Sequence, residues 1–337
     1  MNTKEILFKL CESDHLGSLH GCAETVKILI EPYVDEVITR RDGSVIALMH
    51  GTDKKIMLEA HIDQVGFVVT QVFDDGFLRI AKVGGPDVRA LPASILNVFG
   101  KQKVPAVVIS VPPHLQKEKS DKFPSIDDMF LDTGLGEKAK DIISVGDYAA
   151  FSTDPQSMAN GRVTARSLDD RAACTALILA AQKLSENRPQ STVVFSFSQG
   201  EELNGVGAKT AAFEYTPDQA LACDVSFAKA NGVPDHKCGK LGKGPMIGIS
   251  PVLSRSVSDS LVSLAEHEKI EYQLEVMGGE TSTDADYISV TKSGVECGLV
   301  SIPQRNMHTP VEIVELSDIE NTALLMSSFV MERDGDR

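Results

Sequence analysis

His61 and Asp63 stand two residues apart at the end of the apolar run in IMLEAHIDQVG. In extended chain, residues at i and i+2 point to the same side, so this pair shares a face. Other segments deliver similar groups. ARSLDDRAACTALI places Asp169 and Asp170 at the start of a helical pattern. STVVFSFSQGEELNG places Glu201 and Glu202 after a β-branched and aromatic run. ALACDVSFA places Asp224 near the end of another run, and GLVSIPQRNMHTP places His308 shortly after a further one. Each has an ordinary explanation when taken alone: a charged helix N-terminus, a solvated turn, a loop histidine. Together they set two histidines and several carboxylates at the ends of strands and helices. A pair of divalent metal ions uses such a set, since zinc takes histidine nitrogen and carboxylate oxygen and a catalytic site keeps a position for water. Two such ions ~3.5–4 Å apart need a bridging carboxylate. A further carboxylate is needed as base, close to the metals but not held by them. Asp63 could hydrogen-bond the far nitrogen of His61 and fix its tautomer.

The elements that must position these groups are legible as patterns. Residues 3–31 read as helix, and 45–48 and 55–60 as strands. From about 71 to 157 the texture changes to short β-like runs (76–83, 94–99, 106–111, 147–151) separated by Gly and Pro turns, with a lysine-rich polar stretch at 116–122. That is the pattern of a small β-rich module. Longer apolar strands then alternate with helices: helix 171–184, strands 192–197 and 219–225, helix 256–269, strands 272–276 and 295–302, helix 316–332. Such alternation is an α/β signature. Open α/β sheets build their sites at the carboxyl ends of the strands, where these residues fall. The expected organisation is an α/β domain from residues 1–70 and 158–337, with residues 71–157 inserted into it.

Bulk properties narrow the partners. The chain has 337 residues and a net charge of −15, which argues against a nucleic-acid backbone or an anionic membrane surface. Hydrophobic residues make up 42%, enough for a substantial core, yet no apolar run reaches transmembrane length. The opening MNTKEILFKLCESD reads as an amphipathic helix, without the long apolar centre of a signal peptide. The six cysteines are scattered without a Cys-x-x-Cys pair, as reduced thiols would be. A cytoplasmic protein is expected.

The segments EAHIDQVG, SLDDRAACTALI, GEELNGVGA, DVSFA, STDAD and RNMHTPVE, in this order, resemble the tetrahedral dodecameric aminopeptidases, a family of two-metal peptidases also known as glutamyl aminopeptidases or "cellulase M". The resemblance covers essentially the whole chain, including VGGPDVRALP and VPPH in the β-rich module. It implies a mixed-sheet α/β/α catalytic domain with an inserted PDZ-like dimerisation domain. It also implies two divalent metals per subunit, zinc or cobalt, short peptide substrates, and twelve subunits built from dimers around a cavity. Carried over motif by motif, His61, Asp169, Glu202, Asp224 and His308 match metal ligands, with Asp169 as the bridge. Asp63 matches the residue that orients His61, and Glu201 the general base. The chain departs from the family pattern at Gln64, Gly200, Leu203, Asn204 and Asn306, none of which is a ligand position.

Three other readings use the same residues. A deacylase or carboxypeptidase would differ only in its substrate pocket. A glycosidase would need two carboxyl groups ~5–9.5 Å apart across the bond, which adjacent Glu201 and Glu202 do not supply unaided, and the chain has no Trp for sugar stacking. A non-enzymatic scaffold would have no use for an intact ligand set.

Overall fold

The computed structural model describes residues 1–109, 111–115 and 123–335. At its centre is an eight-stranded mixed sheet. In spatial order it runs Gln273–Val276, Met246–Ile249, Glu296–Gln304, Gln219–Phe227, Thr52–His61, Ser191–Ser198, Val45–Met49 and Glu36–Thr39. The four long strands Glu296–Gln304, Gln219–Phe227, Thr52–His61 and Ser191–Ser198 are mutually parallel. Sequences such as Val193-Val194-Phe195-Ser196-Phe197 read as continuous apolar runs because such strands are covered on both faces.

Alternation along the strands assigns the two faces. Val45, Ala47, Ile56, Leu58, Val193 and Phe195 pack under Thr3–Cys11, Gly21–Ile30, Leu168–Glu186, Arg255–Glu268 and Leu316–Gly335. Ile46, Leu48, Met57 and Val194 pack on the other side under Val206–Tyr215 and Ala285–Ser289. The helix Leu168–Glu186 is buried through Ala172, Ala173, Ala176, Ala180 and Ala181, small residues that let it lie close to the sheet. The result is the expected α/β/α layering. Among the described residues no helix is long and apolar enough to cross a membrane.

The inserted module is a closed six-stranded barrel, in the order Phe130–Asp132, Phe77–Val83, Gly66–Val72, Tyr148–Phe151, Ile95–Phe99 and Lys103–Ile109. Strict alternation fills it: Val104, Ala106 and Val108 point inward while Pro105 and Val107 point out. Phe67 and Phe151 meet edge to face, their centroids 5.6 Å apart. The barrel runs from Gly66 to Phe151, so its limits fall inside the expected 71–157 at one end and ahead of it at the other. Phe67 and Val69 are as apolar as the sheet strand before them, so composition does not change where the chain leaves the sheet. Gln156–Ser157 already pairs with Arg162–Ala165, which pairs in turn with Glu312–Glu315 in the catalytic part. The polar stretch 116–122 lies outside the described residues.

The expected single helix over 3–31 is two. Thr3–Cys11 and Gly21–Ile30 flank a tiny hairpin pairing His15–Leu16 with Leu19–His20. Gly17 turns this hairpin at φ +58°, and a Cβ there would lie 2.0 Å from the ring of Tyr148 on the barrel. A Ser-Asp pair and two glycines were sufficient to interrupt the helical pattern.

A second glycine ties the fold to the site. Gly207, in the first turn of Val206–Tyr215, donates its N–H to the Gln199 carbonyl at 2.9 Å. A Cβ there would lie 2.4 Å from the Gln199 nitrogen and 2.6 Å from its oxygen. Helix propensity favours alanine over glycine by ~0.5–1 kcal/mol, but overpacking against fixed backbone costs ~1–3 kcal/mol, so packing wins. Gly207→Ala is therefore expected to lower stability in urea denaturation and, by displacing the turn after Gln199, to lower activity. An unchanged denaturation midpoint would contradict this close approach.

Candidate active site

The parallel strands end along one edge of the sheet. His61 closes Thr52–His61 and lies in register beside Ser198, the last residue of Ser191–Ser198. The turn after Ser198 carries Glu201 and Glu202. Asp224 belongs to Gln219–Phe227, and His308 follows Glu296–Gln304. Asp169 and Asp170 lie in the first residues of Leu168–Glu186 but have non-helical dihedrals (φ −80°, ψ 101° and φ −119°, ψ 40°). They precede the regular helix, and this aims both carboxylates at the strand ends.

All the residues singled out from sequence converge there. The Asp169 carboxylate lies between the two histidines: Oδ1 is 3.0 Å from His61 Nε2 and Oδ2 is 3.2 Å from His308 Nε2. Glu202 Oε1 is 3.3 Å from the same His308 nitrogen. Glu201 Oε2 and Asp224 Oδ1 lie 3.9 and 4.0 Å from His61 Nε2. Ligand atoms of His61, Asp170 and Asp224 fall within 4.8 Å of one another, and so do those of Asp169, Glu202 and His308.

Asp63 does more than face His61. Its Oδ1 is 3.5 Å from His61 Nδ1, an ion-pair separation longer than a good hydrogen bond. The same carboxylate accepts the backbone N–H groups of Gly200 at 2.8 Å, Glu201 at 3.1 Å and Glu202 at 3.3 Å. It thereby sets the turn that presents both glutamates. Beneath it, the fully buried Arg171 donates through Nη1 to the carbonyl of Ile62, the residue between His61 and Asp63.

Sequence reasoning gave no role to four contributors. Glu312 is buried and its two oxygens accept the N–H of Asp169 at 3.1 Å and of His308 at 2.7 Å, so one side chain fixes two site segments. Its only sequence signal was a glutamate soon after His308. Asp170 joins His61 and Asp224, whereas in sequence it reads as a second acid at a helix start. Gly85, in a barrel loop, accepts from His308 Nδ1 at 2.9 Å, and the Asp87 N–H bonds the His308 carbonyl at 3.0 Å. Ser198 Oγ bonds both Glu59 at 2.7 Å and Asp284 at 2.6 Å, a buried acid pair behind the strand ends.

The concentration of carboxylates in so little volume perturbs every member. Burial pushes Glu201 up to about 9, with Asp224, Asp284 and Asp169 adding to the rise. Burial likewise raises Glu202, Asp170 and Asp224. For His308 burial opposes charge, but Asp169 and Glu202 override it and raise the imidazole to about 11. His61 is raised in the same way: burial opposes, and Asp169 and Asp63 prevail. Asp169 is held well below the carboxylate range by its two histidines, against the effect of burial. On its own groups, then, the site holds protons in place of positive charge. Asp170 Oδ2 is fully buried without a hydrogen-bond partner among the described residues. Hard and borderline oxygen and nitrogen donors, in surplus negative charge around a central carboxylate, fit a pair of divalent cations.

The sequence pattern of the M42 glutamyl aminopeptidase family matches residues 43–325. The lysyl aminopeptidase of Pyrococcus furiosus is 30% identical over 97% of this chain and 96% of its own length. Among solved structures, the aminopeptidase APDkam598 of the archaeon Desulfurococcus kamchatkensis superposes with a TM-score of 0.92 at 32% identity, covering 98% of this chain and 94% of that one. The Pyrococcus horikoshii TET1 peptidase, described as able to assemble into a tetrahedron or a large octahedral shell, gives 0.87 at 29% identity, covering 98% and 100%. Sequence pattern, fold and buried donor set agree, and the chain belongs to the M42 glutamyl aminopeptidase family.

Proposed function

We propose that this metallo-aminopeptidase removes the N-terminal residue of short peptides, with each side chain of the cleft in a distinct role. The observation that carries the reading is the Asp169 carboxylate set between His61 and His308 at 3.0 and 3.2 Å. In this reading His61 and Asp224 would hold one cation and His308 and Glu202 a second, with Asp169 shared between them. Zinc or cobalt suits these donors. When bound, the cations supply an acidified water and a Lewis acid for the scissile carbonyl.

The remaining steps belong to the chain itself. Glu201 lies near the cluster without the short histidine contact that Glu202 makes. Burial raises its proton affinity above that of a free glutamate, and a cation held alongside would bring it back down toward the operating pH, where a general base works best. Its carboxylate takes a proton from the attacking water and passes it to the leaving amine. Asp63 keeps Glu201 in place through the backbone rather than by touching substrate. The surplus carboxylates recognise the free α-ammonium, which makes cleavage exopeptidic. For the barrel we propose a role in assembly, as dimers within a dodecamer. The contact from Gly85 to His308 gives it a second role in orienting a ligand.

Two outcomes test these roles. Glu201→Gln is expected to retain metal near the wild-type level while kcat falls ~10²–10⁴-fold, the scale of general base catalysis. Glu202→Gln is expected to lose metal affinity, with activity partly restored by excess metal. Metal content and kcat measured together decide between them, and metal loss in Glu201→Gln alone would exchange the two roles. Acetylating the N-terminus of a substrate peptide is expected to abolish cleavage. Equal rates for the free and acetylated peptides, followed by chromatography, would favour a deacylase or endopeptidase.

A further inference from the structure

The cleft beside the strand ends has a volume of about 340 Å³, and Glu275 is part of its lining. That is the low end of the range for ligand pockets, ~300–1,000 Å³. It suits one side chain and the bond next to it better than a long peptide.

Glu275 sits on the edge strand Gln273–Val276. Its carboxylate accepts from Ser226 Oγ through Oε1 and from Ser301 Oγ at 2.7 Å through Oε2. Both serines are tied to Asp224. Ser226 lies two residues further along the same strand and so on the same face, and Ser301 is paired with Asp224 in the parallel register. The sheet thus fixes the Glu275 carboxylate on the face that carries the candidate metal ligands.

The two hydroxyls leave half the accepting capacity of the carboxylate unused, since an ionised carboxylate offers about four lone-pair sites. No Lys or Arg lines the cleft, and Glu275 makes no ion pair among the described residues. It differs in this from Asp63 and Glu312, whose oxygens are occupied by backbone N–H groups. Beside Glu275 the cleft carries the apolar side chains of Met277, Leu299 and Met307 together with the hydroxyls of Thr281, Ser282 and Thr283. Apolar side chains beside an unpaired carboxylate match a side chain with an aliphatic stem and a cationic end.

We propose that Glu275 determines specificity, selecting peptides whose N-terminal residue is lysine or arginine. This rests on the aminopeptidase reading and names its substrate class. The stem packs on Met277, Met307 and Leu299, and the ammonium or guanidinium pairs with Glu275. A norleucine keeps the lysine stem without the charge. A glutamate would bring a second carboxylate against Glu275.

The test compares kcat/KM of the metal-loaded enzyme on chromogenic amides of Lys, Arg, norleucine and Glu. Lys and Arg are expected to exceed norleucine by on the order of 10–10²-fold, the scale of a hydrogen bond to a charged group, with Glu poorest. Glu275→Gln is expected to erase most of that preference, falling far more on Lys and Arg than on norleucine. Glu275→Asp, which keeps the charge, is expected to retain part of it. Equal losses on all four amides would overturn the proposal, placing Glu275 on the α-ammonium or in the fold. A wild-type preference for norleucine or Glu would overturn it as well. Failure to cleave any free aminoacyl amide would remove the aminopeptidase reading and this proposal together.

Discussion

Too much negative charge is buried in one place, and the rest of the structure is organised around that fact. Asp63, Asp169, Asp170, Glu201, Glu202 and Asp224 gather within reach of two imidazoles, with the Arg171 guanidinium just beneath. Isolated buried carboxylates are costly, and in practice such groups keep a proton or acquire a cation. The raised proton affinities of Glu201 and Asp224 are one expression of this, and the high value for His308 is its counterpart. Divalent cations remove the conflict because their charge offsets what the carboxylates impose on one another. The adjacency of Glu201 and Glu202, awkward in a bare turn, follows from the same argument. One glutamate contacts His308, and the other stands nearer to His61.

Holding like charges together requires a rigid frame, which the backbone supplies. Asp63 gathers three N–H groups of the Glu201–Glu202 turn, and Glu312 gathers those of Asp169 and His308. Each acts as a clamp between segments remote in sequence. The parallel register sets Ser198 beside His61 and Ser301 beside Asp224, so the strand ends arrive level. The barrel enters the frame at two points: through Gly85 and Asp87 at His308, and through Tyr148 against Gly17. A module read from sequence as separate from the chemistry therefore helps to orient one of its histidines.

The site was largely legible because its residues obey local rules. His61, Glu201, Glu202 and Asp224 are polar groups that terminate apolar runs, and such an ending is visible in one dimension. What could not be read were tertiary acceptances. Glu312 looks like any glutamate until its oxygens are seen on two distant N–H groups, and a Gly85 carbonyl leaves no mark in side-chain chemistry. The fold shows the same division. The long strands and the helices 171–184 and 316–332 follow from periodicity, whereas the close approach of Gly17 to the barrel residue Tyr148 leaves no mark in the local pattern. The start of the barrel at Gly66 was masked by Phe67 and Val69, which continue the apolar texture of the preceding strand.

In the proposed reading one carboxylate, Asp169, would lie between two cations held by His61 and His308. Anomalous diffraction from metal-loaded crystals at the absorption edge of the bound metal tests it most directly. The account requires two peaks ~3.5–4 Å apart, on either side of the Asp169 carboxylate and each next to one of the two histidines. A single peak at full loading, or a pair that does not flank Asp169, would contradict it.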